Sequence, residues 1–161
     1  KKTLYKILNE VLKDLEGYRK NEGAELGKDI NLRIDLIESH LQSAVKIDPE
    51  RNKKIEEKLR SALEDLKQEV DTNRFEQELI FYLEKFDITE EKVRLKNHLN
   101  YFREVMEKDF PNGKKLGFIS QEIGREINTI GSKANHTELQ KIVVQMKDEL
   151  EKIKEQLLNV L

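Results

Sequence analysis

Apolar residues recur three and four positions apart along almost the whole chain, and that period commits it to helices. Leu4, Leu8, Val11 and Leu15, then Leu26, Ile30, Ile37, Leu41 and Ala44, fall along one side of a helix. The spacing predicts one helix over residues 3–45. Gly17, Gly23 and Gly27 each weaken a helix by about 1 kcal/mol relative to alanine, so a kink or short break is expected near Glu22-Gly23. Asp48-Pro49 is expected to end that helix and start the next, with Asp48 as N-cap and Pro49 at the first helical position. The second helix carries Ile55, Leu59, Ala62, Leu66 and Val70 and continues through Leu79, Leu83 and Phe86, with an irregularity expected at Asp71-Thr72-Asn73.

A third helix is announced by Asp87-Ile88-Thr89-Glu90-Glu91, where Asp87 or Thr89 can accept free backbone N–H groups and the glutamates complement the helix dipole. Its apolar stripe is Leu95, Leu99, Phe102 and Met106. Phe110-Pro111-Asn112-Gly113 is the clearest stop in the chain. A fourth helix is expected from about Lys114 to Ile130, closed by Gly131. Asn135 or Thr137 can cap a fifth, whose seam is Leu139, Ile142, Val143, Met146, Leu150, Ile153 and Leu157. Such helices bury their stripes only against one another. The expected fold is therefore all-α, with a long antiparallel hairpin over residues 1–86 and a three-helix region over 87–161.

Composition supports this and narrows the chemistry. The chain has 161 residues with only 7 Gly and 2 Pro, too few for the many tight turns of an all-β fold. It has no cysteine, which excludes a thiolate nucleophile and Cys-based metal sites. No run of about 18 apolar residues is present to span a membrane, and the expected compartment is the cytoplasm. With 30 Lys and Arg against 32 Asp and Glu, any nucleic acid must be held by a local patch rather than by bulk charge. Lys1 opens inside a helical pattern without an initiator Met, so a fragment of a longer protein is expected.

The short signatures of phosphate-loop, dinucleotide, serine-hydrolase and HExxH enzymes are missing. What stands out is the fourth helix. Beside its stripe of Leu116, Ile119, Ile123, Ile127 and Ile130 runs a row of Glu122, Glu126, Thr129 and Lys133, and a further row of Gln121, Arg125, Asn128 and Ser132. Carboxylates one turn apart can share a hard divalent cation, and Arg and Lys beside them can bind phosphate oxygens. On spacing alone, pairing of Glu122 and Glu126 with Arg125 and Lys133 explains them more simply. Arg74, Gln77 and Glu78 can meet this row from the second helix, as a site or as a packing network. His98 shares a row with Arg94 and Tyr101 and is a candidate ligand or proton carrier; a histidine at a stripe edge also serves packing alone. His40 and His136 receive no role. The loop Asn112-Gly113-Lys114-Lys115 offers a phosphate contact, although a solvated turn accounts for it more simply.

Asp87-Ile88-Thr89-Glu90-Glu91 with Arg94-Leu95 and Asn97-His98, followed by QEIGREINTIGSKAN, resembles the C-terminal part of the YicC-like endoribonucleases. The resemblance extends through Glu22-Gly23, Leu26 and Asp29, through Arg74, Gln77 and Glu78, and into the last helix as far as Gln156 and Asn159. It implies a bacterial enzyme that cleaves single-stranded RNA with a divalent metal, Mn²⁺ or Mg²⁺, takes part in small-RNA turnover and assembles as a homo-oligomer, a hexamer. It also implies a strand-containing domain ahead of these helices that this chain does not include. On the matching positions, Glu122, Glu126 and His98 are expected to be catalytic, with Glu78, Glu122 and Glu126 on the metal. Arg74, Arg94, Arg125 and Lys133 are expected on the RNA, with Gln77, Gln121, Asn128, Thr129 and Ser132 as the supporting network. Gly117, Gly124 and His136 depart from the family, which commonly has Asp, Asn and Asp there, and the end Leu157-Leu158-Asn159-Val160-Leu161 is more apolar than usual. Two alternatives remain: an oligomerisation module without catalytic residues, and an adaptor that binds another protein through residues 3–86.

Overall fold

The computed structural model describes residues 2–64, 72–108 and 112–158. Among these are five helices and no strand: α1 (Lys2–Glu64), α2 (Thr72–Phe86), α3 (Thr89–Met106), α4 (Gly113–Ala134) and α5 (Thr137–Leu157). The all-α expectation holds. The middle of α1 packs along α5 and touches α3, α3 pairs with α4, α4 with α5, and α2 folds back on α1. One core fills the space between them. Ile30, Ile34, Ile37 and Leu41 of α1 meet Leu95, Leu99 and Phe102 of α3, Ile123, Ile127 and Ile130 of α4, and Met146, Leu150 and Ile153 of α5 in a single apolar cluster. The α3 and α5 stripes fall where the periodicity puts them.

The longest helix corrects two expectations. No break occurs at Glu22-Gly23, and α1 runs on through Pro49 for 63 residues, about 95 Å. An interior proline costs a helix about 3 kcal/mol, because it removes a hydrogen bond and crowds the preceding turn. Asp48 does not spend its carboxylate on a cap. It is 2% exposed, accepts from Arg51 Nε at 2.9 Å and receives the Lys92 ammonium of α3. Arg51, 1% exposed, donates to the Lys133 and Ala134 carbonyls at the end of α4 and to the Phe86 carbonyl at the end of α2. One guanidinium thus satisfies chain ends of two helices that have no intrahelical donor left for them, and it fixes α1 where proline would end it. Leu66, Val70 and Asp71 lie outside the described residues.

Two further boundaries move. Gly131 does not close α4; it lies inside the helix, where a Cβ would come within 3.0 Å of Val143 Cγ1, so its role is close approach of α4 and α5. The stop comes at Asn135, whose φ of 37° is left-handed. His136, not Asn135 or Thr137, is the N-cap of α5, with Nδ1 accepting from Leu139 N. The N-cap position of α3 is Ile88, which makes no side-chain cap bond; Asp87, one residue earlier, accepts from the Thr89 N–H and hydroxyl. After α3, Asn112 donates to the Val105 and Lys108 carbonyls, while Phe110-Pro111 lies outside the described residues.

Candidate nucleic-acid interface on the α3/α4 edge

Antiparallel packing of α3 on α4 lines up one edge of each helix. On α3 the edge reads Glu91, Arg94, His98, Tyr101; on α4, in the opposite direction, Lys133, Thr129, Glu126, Glu122 and Lys115. Cross-helix contacts fix the register. At one end Lys133 Nζ donates to Glu91 Oε1 at 2.7 Å, and at the other Lys115 Nζ lies 5.1 Å from the centroid of the Tyr101 ring. Between them sits Glu126, 8% exposed, within the fields of Arg94, His98, Glu91 and Glu122.

Burial pushes the Glu126 carboxyl above the ordinary glutamate range. Arg94 and His98 pull it down, Glu91 and Glu122 push it up, and burial prevails. A carboxylate whose charge the chain leaves under-compensated gains from a nearby cation. Glu122, Arg94 and His98 are more open. Glu122 is half-buried and accepts from Arg125 at 2.7 Å; Arg94 pairs with Glu90; His98 is half-buried.

The expected residues therefore divide. Glu122, Glu126, His98, Arg94, Thr129 and Lys133 come to one edge. Gln121, Arg125, Asn128 and Ser132 form a solvent-facing row beside it, all exposed. Gln77 and Glu78 are exposed on α2, and the side chain of Arg74 lies outside the described residues. Among the described residues no group of three His, Cys, Asp or Glu could hold a metal ion, so Glu78, Glu122 and Glu126 do not form a closed site within one chain. Two neighbouring carboxylates remain, the donor set with which Mg²⁺ is commonly held when substrate phosphates supply further ligands. The edge fits that partial role.

Glu91 is the residue the periodicity missed. It was assigned to the helix dipole, yet it is 4% exposed, its Oε1 is taken by Lys133, and its Oε2 is buried without a hydrogen-bond partner. The available signal was its position, one turn before Arg94 and two before His98, on the same row. The two glycine departures lie elsewhere. Gly124 faces α5, where a Cβ would sit 3.2 Å from Leu150 Cδ2, and Gly117 has open space around it; neither is on the α3/α4 edge.

Comparison with known proteins places the chain in a family. A family model described as "Endoribonuclease YicC-like, C-terminal" matches residues 44–161, which include the whole α3/α4 edge. A probable endoribonuclease YicC from Clostridioides difficile is 37% identical over 98% of this chain and 56% of its own length. One from Haemophilus influenzae is 30% identical over 98% of this chain and 55% of its own length. The chain thus spans about half the length of these relatives. It belongs to the YicC-like endoribonuclease family.

Proposed function

We propose that this chain is the helical portion of a metal-dependent endoribonuclease that cleaves single-stranded RNA in small-RNA turnover, with its chemistry on the α3/α4 edge. The observation that carries this reading is Glu126: a buried carboxylate, raised by burial, within the fields of Arg94 and His98 and beside the more open Glu122. In this reading Glu122 and Glu126 would hold Mn²⁺ or Mg²⁺ together with the RNA phosphate. Bound there, the metal supplies an activated water and offsets the charge that builds on the phosphate. Arg94, Arg125 and Lys133, with Arg74 from α2, hold the strand by its phosphate oxygens. His98 takes the proton of the attacking oxygen.

Cleavage of an end-labelled single strand with Mn²⁺, Mg²⁺ or EDTA tests this. Metal-dependent products with 5′-phosphate ends support it; EDTA-resistant products ending in 2′,3′-cyclic phosphate assign attack to the ribose 2′-hydroxyl with His98 as base, and remove the metal from the account.

A second reading is favoured by a different observation. Residues 3–25 of α1 are exposed, and Leu4, Leu8, Val11, Leu15 and Tyr18 among them follow a four-three spacing with 50% or more of each surface open. That is a seam of the kind that pairs helices. It supports a homo-oligomer, of the hexameric order the family resemblance implies, and under this reading the helices contribute assembly alone.

A further inference from the structure

The α3/α4 edge does not end at Glu122. Phe118, one turn earlier on α4, leaves 67% of its surface exposed, and Lys115, one turn earlier again, holds its ammonium over Tyr101. Tyr101 is itself 40% exposed and lies one turn beyond His98 on α3. On the two facing helices, Phe118 is therefore one turn from Glu122 and Tyr101 one turn from His98.

Single exposed apolar side chains are ordinary on protein surfaces. This group is different in its chemistry and its place. It combines two aromatic rings with an ammonium, and Lys114 beside it is also exposed. The exposed seam on α1, by contrast, is a spaced row of leucine and valine with one tyrosine, Tyr18, suited to another helix. Rings beside cations suit a flat base joined to a phosphate. Arg103, the arginine near this end of α3, is already engaged by Asp35 and Glu38 at 2.7 Å, so it is the Lys114-Lys115 turn that brings positive charge to this end of the edge.

We propose that Tyr101, Lys115 and Phe118 form a stacking platform for an unpaired nucleobase of the RNA strand whose backbone follows the α3/α4 edge. The proposal rests on reading that edge as an RNA site and adds what the edge selects. In a duplex both faces of a base are covered by its neighbours, so a ring platform engages only bases that a single strand can splay out. Lys115 takes the phosphate beside the stacked base, and the strand then runs toward Glu122, Glu126 and His98. Recognition is by ring face and backbone, which is tolerant of sequence.

The test uses the whole chain and a single-stranded oligoribonucleotide carrying 2-aminopurine, followed by anisotropy and by base fluorescence in EDTA and in Mg²⁺. Tyr101→Leu and Phe118→Leu keep apolar bulk on exposed positions and remove the ring. Each is expected to weaken binding about fivefold to tenfold and to reduce the fluorescence change, with the salt dependence unaltered. Lys115→Ala is expected to reduce the salt slope by about one while the fluorescence change persists. Leucine variants that bind and report like the wild type overturn the platform and leave the edge as an RNA site. A wild-type chain that neither binds nor cleaves RNA overturns both. Leucine variants with unchanged RNA binding and a smaller mass in light scattering assign the rings to a protein contact instead and overturn the platform.

Discussion

A single arginine inside α1 holds the ends of two other helices in place, and its cost of removal is correspondingly large. Arg51 is buried with Asp48, and its nitrogens reach carbonyls on α2 and α4 as well as the Asn52 side chain. Replacing it by Met leaves three carbonyl oxygens without their donor and Asp48 with Lys92 alone, and should destabilise the chain by about 3–5 kcal/mol in urea unfolding. A loss under about 1 kcal/mol would show that the cluster is idle. Glu149 offers a check with a defined sign. Burial pushes its carboxyl upward, but hydrogen bonds from Lys152 and Arg33 outweigh this and hold it below the ordinary range. Its contribution is present above the unfolded value and is lost as pH falls through the folded one. The melting gap between wild type and Glu149→Gln should therefore close as pH is lowered from about 6 to about 3; a gap that widens toward acid would contradict the assignment. None of this was legible in the sequence, because Arg51, Lys92 and Glu149 look like ordinary members of charged helix faces until tertiary packing buries them.

At the scale of elements, the periodic stripes of α3, α4 and α5 were readable residue by residue, since spacing and burial are the same fact seen twice. Boundaries were less so. Pro49 and Gly131 read as stops because local rules treat proline and glycine as breakers, and both were overruled by neighbours: Asp48 and Arg51 in one case, the approach of α5 in the other. The glycine exceptions separate experimentally. Alanine at Gly131 brings Cβ against the branched Val143 side chain at 3.0 Å, and the Gln140 side chain already donates to the Gly131 carbonyl at 2.6 Å. Gly131→Ala should cost about 1–3 kcal/mol despite alanine's better helix propensity. At Gly124 the neighbour is the far end of Leu150, which can rotate away, so Gly124→Ala should be neutral or stabilising by up to about 1 kcal/mol. Equal thermal midpoints for the two variants would refute the close-packing role of Gly131. The three rows of the α4 helix were visible in the sequence, and so was the candidate site on its edge; Glu91 was hidden because only the register of α3 on α4 shows that its second oxygen is buried and unpartnered.

For the whole molecule, the core occupies the middle of α1 and leaves its first turns uncovered. Their apolar seam continues the stripe of partly buried Leu26 and buried Ile30, Ile34 and Ile37 outward along the same helix. Charged substitutions in the exposed stretch, Leu8→Glu with Leu15→Glu, should lower the mass measured by light scattering while the melting midpoint of the helical core changes by less than about 5 °C. An unchanged mass would remove the seam from assembly. The central claim is that RNA cleavage takes place on the α3/α4 edge and not merely on a scaffold that these helices build. The direct measurement is cleavage of an end-labelled single-stranded RNA by the wild-type chain and by Glu126→Gln, each checked for assembly by light scattering. The account predicts that the variant keeps its assembled mass and melts no lower near neutral pH, since a burial-raised carboxyl is replaced by a neutral group, while cleavage falls by about a hundredfold or more. Unchanged cleavage by Glu126→Gln would contradict it and leave the edge as an interface network.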